Sequence, residues 1–402
     1  MPNERATAPI VPDMARDRVT TDRQNRAKRS RSVPGGDAAA GSVSSLGQRL
    51  FRPHTAVSFL LGLAVLYLVY RRGFGLEWGA LWSHVASANL ALLLLAFAVF
   101  YCSFPIRALR WRMLLGNVGY GPAAGVRVPS TAGLTRIMYL GWFANCVTIA
   151  RLGDAYRGYL LKKAAGVSFT VTLGTILAER LLDVMVLAAM LGATVLLAFR
   201  ESLPPEATVA LSVGLILSTI GVCGVLVMRH LRGVVERVLP LRLHAHYERF
   251  EHGTAGSFKR VPLLVAYSAA GWIIEGSALY LTAAAVDTPV SVAAALMVAL
   301  VASLLTTVPF APSGLGFTEA GTVLLLKWLG LDTDAAGAVA LLFRIINYWS
   351  IVALGSVLYV FARDGRSPRL RPRQPAADHD RPVGLNDPVE VREMPFDPRK
   401  EP

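Results

Sequence analysis

Charge is scarce in this chain. Of its 402 residues only 17% are Asp, Glu, Lys or Arg, against 53% hydrophobic, whereas a soluble domain carries about a quarter charged residues. That shortage excludes an ordinary soluble enzyme of this length. Cysteine is nearly absent as well. Cys102, Cys146 and Cys223 sit inside apolar segments without metal-ligand or disulfide spacing, and they read as buried small hydrophobes. The seven histidines form no HExxH or paired-ligand pattern, and no Walker A loop occurs, so no metal, nucleotide or other cofactor is expected. Residues 1–50 hold no apolar h-region, which argues against a conventional signal peptide and leaves the segment near residue 55 as an uncleaved anchor.

What the chain does have is apolar blocks long enough to cross a bilayer, which takes about 20 residues as helix. With a mean hydropathy of +0.46, it reads as an all-α, polytopic helical membrane protein. The net charge of +14 could serve nucleic acid, but the basic residues lie mainly in tails and in loops beside the apolar blocks. Positive-inside orientation and anionic lipid account for that placement, and no nucleic-acid partner is expected.

Three regions follow. Residues 1–52, with ten Lys/Arg against five acids, read as a disordered basic cytoplasmic arm. Residues 53–362 form the transmembrane domain. Residues 363–402, opening with Ser367-Pro368-Arg369-Leu370-Arg371-Pro372-Arg373, read as a disordered cytoplasmic tail. Spans are expected at 55–70, 86–105, 171–198, 207–228, 262–286, 290–308 and 335–361, with 131–149 and 317–330 unassigned. The loop 106–128 has four Arg and no acid, and the loop 229–260 has seven Lys/Arg. Both belong in the cytoplasm with the two termini of a multi-pass inner (plasma) membrane protein. Parity then requires an even number of crossings. Eight is the most economical: 317–330 crosses as a short broken helix, and 131–149 folds back as a re-entrant hairpin. Arg107, Arg110, Trp111 and Arg112 in the first basic loop read as an interfacial anchor, and 229–250 as a solvated connector.

Within this apolar background two stretches combine charge with glycine: Arg151-Leu152-Gly153-Asp154-Ala155-Tyr156-Arg157 and Pro312-Ser313-Gly314-Leu315-Gly316-Phe317-Thr318-Glu319. Broken backbone at membrane depth persists only where protein buries it or water fills a cavity beside it. An ionisable residue at mid-bilayer costs about 2.5–3.5 kcal/mol even on the lenient insertion scale, so function is its default explanation. Arg151, Asp154 and Arg157 are spaced by three and would share a helix face, two guanidinium forks flanking a carboxylate in a set suited to phosphate. Glu179 and Asp183 share a face at i, i+4 beside Arg180, where an Arg180–Asp183 pair is the simplest structural reading. Glu319 could cap the helix that follows Gly314 and Gly316, or meet Arg157 or Arg344. Glu275, between Trp272 and Tyr280, is a further acid in need of a partner. Asn347, Tyr348 and Trp349 add a polar, aromatic cluster to the last span. Asp332-Thr333-Asp334 could bind metal but reads as a helix cap.

An offset of 164 sets Gly166 against Gly330, Leu177 against Leu341, Arg180 against Arg344 and Asp183 against Asn347. With one residue of slip, Leu152-Gly153 meets Leu315-Gly316. In the eight-crossing topology the two spans run in opposite directions, the pattern of an inverted-topology repeat with a midplane site; coincidence is the alternative.

Over about 55–361 the chain resembles the transmembrane region of the lysylphosphatidylglycerol synthase superfamily, a flippase-like family. The resemblance rests on Asn145 followed by Arg151-Leu152-Gly153-Asp154 and Arg157, on Glu179-Arg180-Leu181-Leu182-Asp183, on Pro312-Ser313-Gly314-Leu315-Gly316 with Glu319-Ala320, and on Arg344 before Tyr348. The Pro-Gly usual before Arg-Leu-Gly-Asp is replaced by Thr148-Ile149-Ala150, which implies a gentler first break. Members fused to a soluble aminoacyl-transfer domain make lysyl-phosphatidylglycerol and move it across the membrane. That soluble domain has no counterpart after residue 362, so the resemblance implies the flippase half alone. Stand-alone relatives are linked to polyprenyl-phosphate sugar pathways. The expected function is transport of an anionic or aminoacylated phospholipid or a polyprenyl-phosphate lipid, alone, as an oligomer or beside a partner enzyme. The expected site is Arg151, Asp154, Arg157, Glu179, Arg180, Asp183, Gly314, Gly316, Glu319, Arg344 and Asn347. A membrane-embedded glycosyl- or phosphotransferase, or an accessory subunit of one, is the competing reading.

Overall fold

The computed structural model describes residues 77–122, 125–148, 152–198, 240–306 and 312–363, with a few isolated positions besides. The arm 1–52, the span 55–70, most of 207–228, Arg151 and the tail after 363 lie outside the described residues. The described residues form helices and no strand, as the composition requires.

The helices are α1 (Trp78–Ala86), α2 (Leu90–Asn117), α3 (Thr131–Val147), α4 (Leu152–Ala165), α5 (Phe169–Ala198), α6 (Leu241–Ala255), α7 (Val261–Ala285), α8 (Val292–Leu305), α9 (Phe317–Trp328), α10 (Thr333–Arg344) and α11 (Ser350–Arg363). A π-helical turn, Ile345–Trp349, joins α10 to α11. Starts are set locally. The Asn89 side chain accepts from the backbone N–H of Ala91 and Leu92 at the head of α2, Ser130 accepts from Gly133 N before α3, and Asp332 accepts from Asp334 N before α10. The Asp-Thr-Asp triplet is therefore a cap, and Asp334 also accepts from Glu77 N.

Among the described residues α2, α7 and the segment Thr333–Tyr359 are long and apolar enough to cross a membrane. At 30 residues, or about 45 Å, α5 is long enough too, but it carries Glu179, Arg180 and Asp183 in its middle. Leu90, Leu94 and Leu95 of α2, Leu263 and Ile273 of α7, and Leu354 and Val357 of α11 point outward, an apolar exterior suited to lipid. The centre of the bundle is α2 against α7, with α8 and α5 closing over them.

Four expectations change. First, α2 does not end at 105. Pro105 lies inside it and the helix runs on to Asn117, because in a packed apolar bundle the group freed by a proline is tolerated. Arg107, Arg110 and Trp111 thus belong to a helix face and are buried, whereas Arg112 stays exposed and reaches Thr131 Oγ1. Second, 131–147 contains no breaker and forms one helix; the hairpin pairs α3 with α4. Third, 241–255 is no solvated connector. It is α6, packed on α5 where Gly174 meets Gly253 so closely that a Cβ on either would overlap backbone. Fourth, only Cys146 is buried; Cys102 and Cys223 are exposed.

The α3–α4 hairpin depends on one close approach. A Cβ on Gly153 would overlap the Gly141 carbonyl oxygen and lie 2.6 Å from Asn145 Oδ1, the atom that accepts from Gly153 N at 2.8 Å. Gly153→Ala is therefore expected to cost about 1–3 kcal/mol, read as a lowered Tm of the purified protein in detergent. Gly79→Ala, in open space on α1, should be neutral or stabilising by about 0.5–1 kcal/mol. Equal effects would show that the hairpin is not closely packed.

Candidate functional site

Five arginines and five acids meet in the interior, and they come from six helices. Arg110 on α2 reaches across to α5, where Nη2 is 3.0 Å from Glu179 Oε1 and 3.0 Å from Asp183 Oδ2. Its Nη1 contacts Asp183 Oδ1 and the Ser268 hydroxyl on α7. Arg157 on α4 clamps the other side of Glu179, with Nη2 to Oε2 at 2.6 Å and Nη1 to Oε1 at 3.3 Å. Its guanidinium lies 4.4 Å from the Trp111 ring centroid. Glu179 is thus held between two cations on different helices, and both arginines are essentially sealed from solvent, at 0% and 1% exposure.

Arg180 turns the other way. Its Nη2 and Nε bind the two oxygens of Asp154 at 2.9 and 3.2 Å, while Asp183 stands 4.0 Å off. The i, i+3 pair anticipated from sequence is therefore secondary, because Arg110 already occupies Asp183. In the second half Arg344 Nε is 2.6 Å from Glu319 Oε1. Its Nη2 donates to the Ser313 carbonyl at 2.9 Å, and Tyr348 lies under the guanidinium at 4.4 Å. Glu319 has two tasks, since its Oε2 accepts from Gly316 N at 2.7 Å and so caps α9. The chain turns there through left-handed backbone at Ser313, Gly314 and Gly316, with φ of 46°, 65° and 90°. Glycine carries two of these three at no steric cost. The remaining pair joins α2 to α7, with Arg107 Nη2 3.0 Å from Glu275 Oε2.

A cavity of about 140 Å³ opens between these pairs. Arg107, Arg180, Asp183, Glu275, Arg344 and Asn347 line its polar side, and Phe100, Leu187 and Ile351 its apolar side. The break before α9 and the π turn meet the end of α3 at its edge. Ser313 Oγ donates to the Asn145 carbonyl at 3.3 Å, and Tyr348 donates to the Cys146 carbonyl at 3.0 Å. Arg107 Nε, Trp272 Nε1, Thr318 Oγ1 and Asn347 Oδ1 are buried without a hydrogen-bond partner among the described residues, and all four residues line the cavity. In a native interior such groups call for an explanation.

The profile of the lysylphosphatidylglycerol synthase TM region matches residues 55–355. The chain belongs to this family. Among the proteins it resembles are several described as UPF0104 membrane proteins. A UPF0104 membrane protein of Methanocaldococcus jannaschii is 33% identical over 221 residues, 54% of this chain and 93% of that protein. One from Methanothermobacter thermautotrophicus is 25% identical over 297 residues, 68% of this chain and 84% of that one. The glycosyltransferase AglD of Haloferax volcanii is 29% identical over 110 residues, 27% of this chain but only 16% of that enzyme.

Of the residues expected from sequence in this member of the lysylphosphatidylglycerol synthase TM family, Arg180, Asp183, Arg344 and Asn347 face the cavity. Asp154, Arg157, Glu179 and Glu319 stand behind them as partners, and Gly314 and Gly316 shape the break. Arg107 and Arg110 were hidden by the early helix end assigned at 105. Their spacing of three, together with Trp111, was the available signal. The ion pairs also make a test. Arg110→Met strips Asp183 of its main partner in a buried site and should cost about 3–5 kcal/mol. Asp154→Asn breaks a pair whose side chains are 20–26% exposed, so about 1 kcal/mol or less is expected. Thermal unfolding in detergent should rank the two in that order, and the reverse order would remove Arg110 from the centre of the network.

Proposed function

We propose that the chain is a flippase- or scramblase-like lipid transporter for an anionic or aminoacylated phospholipid or a polyprenyl-phosphate lipid. The headgroup enters the cavity while the acyl or prenyl chains stay in the bilayer. The single observation behind this reading is a cavity in a membrane protein that three arginines line on one side and apolar side chains on the other. Guanidinium forks match phosphate oxygens geometrically, and the buried donors of Arg107 and Trp272 supply further contacts. The cavity lies beside the broken segment before α9, where it meets the end of α3, and repeat-built transporters hold substrate beside such broken helices. Both halves are wired alike. A short helix offers an acid at its third residue, Asp154 or Glu319, then comes a left-handed glycine, Gly166 or Gly330, and a long helix carries the arginine that binds the acid. Rocking of one half against the other would expose the cavity to each leaflet in turn. We place the domain at 53–362, in eight crossings of the plasma membrane with cytoplasmic termini. A membrane-embedded glycosyl- or phosphotransferase, or a subunit beside one, is the second reading, and the stretch shared with a glycosyltransferase favours it.

Reconstitution separates the two. Proteoliposomes containing acyl-labelled phosphatidylglycerol, aminoacyl-phosphatidylglycerol or a polyprenyl phosphate should show protein-dependent movement between leaflets. Arg180→Ala and Asn347→Ala, each folded by Tm, should slow it about tenfold or more, the worth of one charge-assisted contact. A stable wild type that moves none of these lipids would favour the second reading.

A further inference from the structure

The charge count of the site limits how an anion can use it. Arg107, Arg110, Arg157, Arg180 and Arg344 face Asp154, Glu179, Asp183, Glu275 and Glu319. Five cations meet five carboxylates, so among the described residues the site is neutral before any ligand arrives. A phosphodiester entering it would leave one uncompensated negative charge in a low-dielectric interior, which is strongly unfavourable. Neutrality among these groups is kept when a carboxylate leaves its arginine and loses its own charge as the phosphate binds.

Four of the five acids are poorly placed for that exchange. Glu179 is gripped by two arginines, Asp183 is held by Arg110 through both oxygens, and Asp154 is bound bidentately by Arg180. Glu319 is needed to cap α9. Glu275 differs. It lines the cavity, meets its arginine through a single N–H, and gives its other oxygen to the Ser303 hydroxyl at 2.5 Å. A hydroxyl donates or accepts, so Ser303 can serve Glu275 in both protonation states. Arg107, in turn, is kept in place without it. Its guanidinium lies 5.1 Å from the Trp142 centroid and 4.8 Å from that of Trp272, and Gly271 leaves the space beside it clear. Ring faces hold the cation while leaving its N–H donors for a ligand.

Resting on the transport reading above, we infer that this protein moves its anionic lipid together with a proton, carried by Glu275. A proton from water forms an O–H bond on the Glu275 carboxylate, which releases Arg107 to the headgroup phosphate. On the opposite side the O–H bond breaks, the proton leaves to water and the carboxylate returns to Arg107 as the lipid departs. One proton accompanies one phosphodiester monoanion, so the cycle is electroneutral. The elements packed on α7 offer Glu275 the groups Arg107 and Arg110 from α2, Arg180 and Asp183 from α5, the uncharged Ser303 from α8, and Arg344 from α10 across the cavity. Of these arginines all but Arg107 are paired with another carboxylate, so Arg107 is the cation that chiefly holds Glu275 ionised.

The test uses the full chain in phosphatidylcholine vesicles with acyl-labelled phosphatidylglycerol and a trapped pH dye. Acid outside should drive net inward movement of phosphatidylglycerol with one proton taken up per lipid. Because binding takes up a proton, affinity for the anion should fall about tenfold per pH unit above the carboxylate's titration. In Glu275→Gln any movement that remains should no longer follow the gradient. Wild-type movement that ignores pH, or follows sodium instead, overturns the inference while leaving the transport reading intact. So does a Glu275→Gln variant that still follows the gradient. No lipid movement by stable wild type removes both. The wild-type flux decides even if the variant fails to fold.

Discussion

An arginine does not shed its charge, and so each guanidinium inside a bundle of apolar helices dictates what must surround it. Here that requirement ties the helices together. Arg110 joins α2 to α5 and α7, Arg157 joins α4 to α5, and Arg107 joins α2 to α7 and, through Glu275 and Ser303, to α8. Arg344 binds α10 to the head of α9 and to the break before it. Apolar packing against lipid-like surroundings gives little preference among helix registers. A charge pair at 3 Å does, because a one-residue rotation would strand both partners.

Such pairs need helices that approach closely, and the small residues provide for it. Gly141 and Gly153 let α3 and α4 touch, Gly174 and Gly253 do so for α5 and α6, and Gly276 and Gly355 accept Leu296 and Phe143 against bare backbone. Small residues at interfaces are how membrane helices gain packing energy when no hydrophobic drive separates them from lipid. The glycines therefore belong with the ion pairs. A Cβ on Gly141 would lie 3.2 Å from the Arg157 Cβ, so the α3–α4 contact also leaves room for the side chain that grips Glu179.

Much of this was legible in the sequence because membrane helices announce themselves by length and hydropathy. The boundaries of α5 and α7 and the break at Ser313–Gly316 came directly from apolar runs and from glycine. Glu319 was readable as a cap or as a partner of Arg157 or Arg344, and it is a cap that also pairs with Arg344. The pairing across helices was not legible. Asp154 with Arg180 and Arg110 with Asp183 are contacts 26 and 73 residues apart, and spacing along one helix says nothing about them. Local rules favoured Arg180 with Asp183, a pair that tertiary competition displaced. The positive-inside rule also misdirected. It treated Arg107 and Arg110 as loop charges, when a proline tolerated within α2 had carried them into the core.

The two halves share a plan but not a charge. Asp154 to Arg180 and Glu319 to Arg344 are the same connection, from the third residue of a short helix to the long helix after it. Gly166 and Gly330 take the same left-handed turn between them. Where the first long helix then carries Asp183, the second carries Asn347, and where Asp183 calls in Arg110, Asn347 keeps a buried carbonyl oxygen without a partner among the described residues. The second half is also the one with a π turn, directly after Arg344, and such turns gather at functional positions because they rotate the side chains that follow. At this pair of positions one wall of the cavity thus holds a carboxylate tied to Arg110, while the facing wall holds a neutral amide that can donate or accept. On the transport reading, a headgroup between them would meet a paired charged side and an adaptable polar side, an asymmetry that a strictly symmetric duplication could not provide.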